Sequence, residues 1–285
     1  SLRGSLSLTD PDYNFTGKEL SYYLKNIKND KTDSGYENSI FGAGIGLSYE
    51  KFKDVYFSPG ISLTYDDLTT DETASTLLQN QSGSATDLML DYSLSTDKRD
   101  RRFMPTNGYL TSFFQEFPIY ADQPFIKNSF SSSHYNEFSE NVDGALKFSV
   151  TSINGLNDED VRVSQRLTLS TKKLRGFQAG KIGPKDGSDF VGGNYSSSLN
   201  LEANFPNFFP EKSNAEVGLF LDAGNVWGID YSDTIDDSNK IRSTLGLNTS
   251  WLSPAGPLSF VFSKNITKAT TDVDQSFNFR LGTTF

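Results

Sequence analysis

The stretch Phe41-Gly-Ala-Gly-Ile-Gly-Leu-Ser-Tyr49 decides the fold. Phe41, Ala43, Ile45, Leu47 and Tyr49 hold one parity; Gly42, Gly44, Gly46 and Ser48 hold the other. Successive side chains of a strand point to opposite faces, so this segment reads as a strand that is greasy on one side and nearly bare on the other. Wound into a helix, the same residues would spread apolar groups around the whole circumference.

The period of two persists on both sides of this stretch. Leu20, Tyr22 and Leu24 alternate with Ser21, Tyr23 and Lys25, and Leu88, Leu90, Tyr92 and Leu94 alternate with Asp87, Met89, Asp91 and Ser93. Val161, Val163, Leu167 and Leu169 alternate with Arg162, Ser164, Arg166 and Thr168. In the last third, Leu199 and Leu201 oppose Asn200 and Glu202, Leu219 and Leu221 oppose Phe220 and Asp222, and Phe277 and Phe279 oppose Asn278 and Arg280. About thirteen strands are predicted, most of roughly 9–12 residues, with Tyr109–Phe117 ambiguous in parity. No segment of helical period interrupts them.

Composition narrows the class further. The 285 residues carry 26 Lys+Arg against 36 Asp+Glu, a net charge of −10, the opposite of a nucleic-acid binder. The absence of Cys excludes disulfides, thiol nucleophiles and cysteine zinc sites, and a single His excludes a multi-histidine metal site. Mean hydropathy is −0.47, and no apolar run approaches the ~18 residues of a membrane helix. Ser1–Asp10 lacks the basic start and apolar centre of a leader, so the sequence reads as mature or as a fragment of something longer.

Two architectures hide one face of such strands: a sandwich of two sheets, and a barrel with apolar residues in lipid and polar ones in a lumen. Sandwich strands average ~5–6 residues, whereas these are long enough to cross hydrocarbon when tilted. The polar parity carries small residues and isolated charges of both signs, as a crowded wet lumen would. The expected class is therefore all-β, an antiparallel transmembrane β-barrel over residues 1–285. Connections such as Glu50–Lys53 and Pro206–Asn214 are short, while Asp66–Ser84, Leu169–Tyr195 and Gly228–Lys240 are longer or more polar. That pattern predicts a periplasmic turn side, which holds the C-terminus, and an extracellular loop side.

Residues of about 171–194 form the longest loop, rich in glycine, with Leu174 and Phe177 flanking Arg175-Gly176. Such apolar residues favour a packed loop over a disordered one. Glu202 and Asp222 share the lumenal parity of the next two strands, and two inward carboxylates repel unless a cation joins them. A planar guanidinium fits both, which predicts that Arg175 anchors the loop inside the barrel. Other chemistry reads as bland. His134 in Ser131-Ser-Ser-His-Tyr135 is expected in an exposed loop, without a nucleophile elbow beside it. The acidic runs at Asp66-Asp67, Asp158-Glu-Asp160 and Asp236-Asp237 lack the ligand spacing of a calcium loop, and no phosphate-binding glycine motif is present. No enzyme, metal or cofactor is expected.

Seven stretches, in order, carry a resemblance: Thr9-Asp-Pro-Asp-Tyr13, Arg101-Arg-Phe-Met-Pro-Thr-Asn-Gly108, Leu174-Arg-Gly-Phe177, Ile182-Gly-Pro184, Val191-Gly-Gly-Asn194, Leu221-Asp-Ala-Gly-Asn-Val-Trp227 and Trp251-Leu-Ser-Pro-Ala-Gly-Pro-Leu258. Together they resemble the C-terminal barrel of the BamA family, the central component of the machine that inserts β-barrel proteins into bacterial outer membranes. The resemblance implies that Arg175, with Gly176 and Phe177, pairs with Glu202 and Asp222. It implies a sixteen-stranded barrel preceded by POTRA domains, of which this chain would hold the fourth to sixteenth strands. It further implies a weak seam bordered by the last strand, where a client strand adds by backbone pairing. The ending Phe277-x-Phe279-x-Leu281-Gly282-x-x-Phe285 resembles the C-terminal signal of barrel clients; a closing strand with an interfacial aromatic at its end reads equally well. Implied partners are unfolded outer-membrane protein clients, outer-membrane lipids and lipopolysaccharide, and assembly lipoproteins that dock on the absent POTRA region. A related POTRA-barrel secretion pore and a passive porin are the alternatives.

Overall fold

A computed structural model describes residues 2–31, 34–102, 104–210, 213–236, 239–253 and 256–281. Thirteen strands form one antiparallel sheet in chain order. They are β1 (Leu2–Asp10), β2 (Glu19–Lys31), β3 (Tyr36–Phe52), β4 (Val55–Thr70), β5 (Gly83–Asp97), β6 (Gly108–Ala121) and β7 (Phe125–Ser139), followed by β8 (Val142–Gly155), β9 (Tyr195–Phe205), β10 (Ala215–Trp227), β11 (Arg242–Ser253), β12 (Gly256–Thr267) and β13 (Phe277–Leu281).

The predicted count of thirteen stands, but through two errors that cancel. Phe125–Ser139, where an exposed loop is expected around His134, is strand β7, and His134 lies within it with its ring stacked on Tyr109. Serines on both faces of β7 conceal its alternation. Val161–Ser170 is no strand; it holds only a short 3-10 turn at Val163–Gln165 and an isolated bridge from Leu167 to Gly193. Its every-second apolar residues pack onto inward residues of the wall and onto neighbouring loops instead of facing a membrane. The irregular segment between β8 and β9 thus runs from 156 to 194, not from about 171. The ambiguity of β6 also has a cause: the register shifts opposite Leu88/Met89, and Phe113 and Phe114 point to opposite faces.

Burial in the sheet is inverted relative to a water-soluble protein. In β10, Leu221 is 42 % exposed and its neighbour Asp222 is 0 % exposed. Cross-strand register extends this inversion, aligning Leu146, Leu201, Leu221 and Leu245 on the outside and Asn200, Asp222 and Thr244 on the inside. Contiguous exposed apolar rows of this size need hydrocarbon, not water, against them. A sandwich would bury the same rows between its sheets.

Apolar packing gathers at one end of the wall, here called the loop end, where segments 71–82, 156–194 and 228–236 meet. Leu78 and Ala74 from the first pack with Tyr36, Leu68, Val163 and Val191. Val161 and Leu167 pack with Met89, Phe125 and Ile153, and Leu169, Leu174, Phe177 and Ile182 pack on Val226. At the opposite, turn end, the connections 53–54 and 140–141 are tight, although 98–107 is longer.

Candidate functional site

The site is built on the inner faces of β9 and β10. Glu202 lies directly opposite Phe220, and Phe220 directly opposite Gly246 of β11. A side chain at Gly246 would come within 2.6 Å of the Phe220 ring, so the glycine makes room for an inward aromatic on an otherwise polar parity. Phe220 is 2 % exposed, and the Arg175 guanidinium carbon stands 3.6 Å from its ring centroid. The cation stands over the ring face, a favourable cation–π placement.

The structure brings Arg175, Glu202 and Asp222 together. Arg175 Nε donates to Asp222 Oδ2 at 2.7 Å and Nη2 donates to Oδ1 at 2.5 Å, a two-pronged contact. The Arg175 backbone N–H donates to the same Oδ2 at 3.1 Å, and Nη1 lies 2.9 Å from Glu202 Oε1. Lys147 of β8 completes the group, its Nζ 2.7 Å from Glu202 Oε2. Two cations thus neutralise two inward carboxylates, the arrangement that a buried cluster needs to avoid uncompensated charge.

The other two motif residues have separate tasks. Gly176 has φ +88°, and a Cβ there would stand 2.3 Å from Asn265 Oδ1 and 2.7 Å from Thr244 Oγ1. Phe177 is buried among Leu169, Leu174, Ile182 and Val226. Gly176 and Phe177 also pair, antiparallel, with Gln275 and Asp274 just ahead of β13.

Three further arginine clusters escaped the sequence reading. Arg162 lies beside Asp66, its Nε 3.6 Å from Oδ2, and Asn38 and Ser164 donate to the same carboxylate. Arg166 bonds Asn194 and Asp230 and stacks 4.8 Å from the Tyr231 ring centroid. Burial pushes the Asp230 carboxyl up, but Arg166, the Val161 N–H and Asn194 together hold it below its ordinary value. Arg242 grips Asp272 through Nε and Nη2, both at 2.9 Å, with neither side chain exposed. The available signal was Arg242 on the lumenal parity at the head of β11; Arg166 and the partners Asp230 and Asp272 lie in loops, where parity has no meaning.

Phe277, Phe279 and Leu281 of β13 face outward, and the rings of Phe277 and Phe279 meet those of Phe262 and Phe260 of β12 at 5.0 and 5.1 Å. Gly282 and Phe285 lie outside the described residues. Arg280, on the inner parity, donates from Nη2 to Thr171 O at 2.7 Å. Among the described residues no cluster of His, Asp and Glu has metal-binding geometry.

Greasy rows outside, charges inside and an arginine-anchored segment folded into the lumen define a transmembrane β-barrel of the plugged kind. Residues 1–285 match the Omp85 superfamily domain, and the chain belongs to that family. It is similar to the outer membrane protein assembly factor BamA of Neorickettsia risticii (strain Illinois), with 27 % identity over 271 residues, which make up 93 % of this chain and 36 % of that protein. The chain therefore spans about a third of that relative's length. The solved structure of BamA from Haemophilus ducreyi lacking POTRA domains 1–3 shares the fold at a TM-score of 0.85 and 24 % identity, covering 97 % of this chain and 61 % of that one. CdiB from Acinetobacter baumannii matches at a TM-score of 0.59 and 11 % identity, over 96 % and 48 % of the two chains. The expected fold class, an antiparallel transmembrane β-barrel, is the observed one.

Proposed function

We propose that this chain is the barrel portion of an outer-membrane protein insertase. The observation that carries the reading is the plug: the Arg175 cluster ties an in-folded segment across the lumen, and the apolar clusters above it close the loop end. A passive porin needs an open lumen, so the wall itself, not the channel, is the working surface. Similarity to BamA assembly factors along nearly the whole chain supports assembly as that work.

In this reading the turn end faces the periplasm, where the C-terminus lies, and the loop end faces outside. The last strand borders the seam, and an unfolded client pairs with an exposed strand edge through backbone hydrogen bonds. Client folding and burial in lipid supply the free energy. Outer-membrane lipid and lipopolysaccharide surround the wall, and lipoprotein subunits attach to domains outside this chain. The ending Phe277, Phe279, Leu281, Gly282 and Phe285 serves as the protein's own recognition signal.

The decisive experiment reconstitutes the full-length protein in lipid vesicles and follows folding of a urea-unfolded client barrel by its gel shift. Faster folding than in empty vesicles is expected. No acceleration, with steady solute conductance, overturns the reading in favour of a porin. The fold shared with CdiB favours a second reading, a secretion pore, which predicts translocation of one partner protein without general client folding.

A further inference from the structure

The lumenal plug and the last strand are one mechanical unit. Gly176 and Phe177 pair with Gln275 and Asp274, and the pairing continues as Gln178 N–H to Val273 O at 3.0 Å and Val273 N–H to Lys181 O at 3.1 Å. The Asn265 side-chain amide holds both halves, donating to Gly176 O at 3.0 Å and to Asp274 Oδ1 at 2.8 Å. Asp272, three residues earlier than Gln275, is clamped by Arg242 of the wall. Arg280 reaches back from inside β13 to Thr171 of the plug.

We propose that residues 176–181 and 272–275 form a latch that pins the Phe277 end of β13, and that movement of Arg175 off Glu202 and Asp222 releases it. Arg175 is chain-adjacent to Gly176, and its own backbone N–H donates to Asp222 Oδ2 at 3.1 Å, so loss of the Asp222 contact frees main chain as well as side chain one residue from the paired segment. Closed, the latch lets β13 separate from β12 only from its Leu281 end. Broken, it frees the Gln178 and Val273 N–H groups and the Val273 and Lys181 carbonyls together at a partly exposed place where water takes them up, so the latch is a two-position element that opens without stranding buried polar groups. On the outer side, the ring pairs Phe262–Phe277 and Phe260–Phe279, with Leu258 opposite Leu281, supplement the ladder. The functional weight of the latch rests on β13 bordering the seam, as proposed above; its existence does not.

The chain has no cysteine, so engineered pairs report cleanly. The test places the full-length protein in bilayer nanodiscs and follows amide exchange of residues 275–279, with residues 217–223 of β10 as internal control. Asp272→Asn is expected to speed exchange at 275–279 by about tenfold while β10 stays unchanged. The oxidised pair Gln178→Cys/Val273→Cys is expected to slow it below wild type, and reduction to restore it. Arg175→Lys is expected to speed exchange at 275–279 as Asp272→Asn does. Unchanged exchange at 275–279 in Asp272→Asn, acceleration spread equally over β10, or failure of the cysteine pair to oxidise overturns the latch. Client folding is then measured with the pair oxidised and reduced. A latch that closes without altering client folding overturns only the link to insertion.

Discussion

At the scale of single residues, Leu174-Arg-Gly-Phe177 divides its labour: a charge for the wall, a backbone shape for close approach, and a ring for the apolar cluster. Arg175→Ala removes both guanidinium bonds to Asp222 and leaves Glu202 with the Lys147 ion pair alone. Losing one partner of a buried ionic group costs about 3–5 kcal/mol, so the urea midpoint of the folded-band gel shift is expected to fall sharply. Arg175→Lys keeps the charge but cannot span both carboxylates, and the expected loss is about 1–3 kcal/mol in the same assay. Gly176→Ala meets both a positive φ and contacts at 2.3 and 2.7 Å. It is expected to cost more than about 1 kcal/mol and to increase protease cleavage within 171–194.

At the scale of elements, each strand carries an outer and an inner message. Leu221→Lys puts a charge on the lipid face of β10 and is expected to cost about 2–4 kcal/mol near mid-bilayer, read as the folding equilibrium into vesicles. The loop elements answer to acid instead. Asp230 titrates below its ordinary value, so the stability it contributes is present above the unfolded carboxylate pKa and lost as pH falls through the folded one. Protease protection of 228–236 is expected to hold at neutral pH and to fail only below about pH 4. The Arg175, Glu202, Asp222 trio was legible because its carboxylates sit on strands, where parity assigns a face. β7 was not, since Ser129, Ser131 and Ser133 alternate with Phe130, Ser132 and His134, leaving two largely polar faces. Val161–Ser170 failed for the opposite reason: period two tells which residues share a side, not what covers that side. The pairing of Gly176–Phe177 with Asp274–Gln275 is made by backbone atoms, which leave no mark on residue type.

At the scale of the whole molecule, the wall and the plug are stabilised by different surroundings. Removing residues 156–194 and rejoining β8 to β9 with a short glycine-serine linker is expected to turn a poorly conducting barrel into a steadily conducting one in planar bilayers. Unaltered conductance would mean that the segment does not obstruct the lumen. The three apolar clusters all sit at the loop end, and the outward rows meet lipid. A chaotrope dissolved in the aqueous phase therefore reaches the lid long before it reaches the staves. Melting should proceed in two stages, an early loss of near-ultraviolet ellipticity from ordered rings in the lid, then a late collapse of far-ultraviolet strand signal, and the gap between them should widen as acyl chains lengthen.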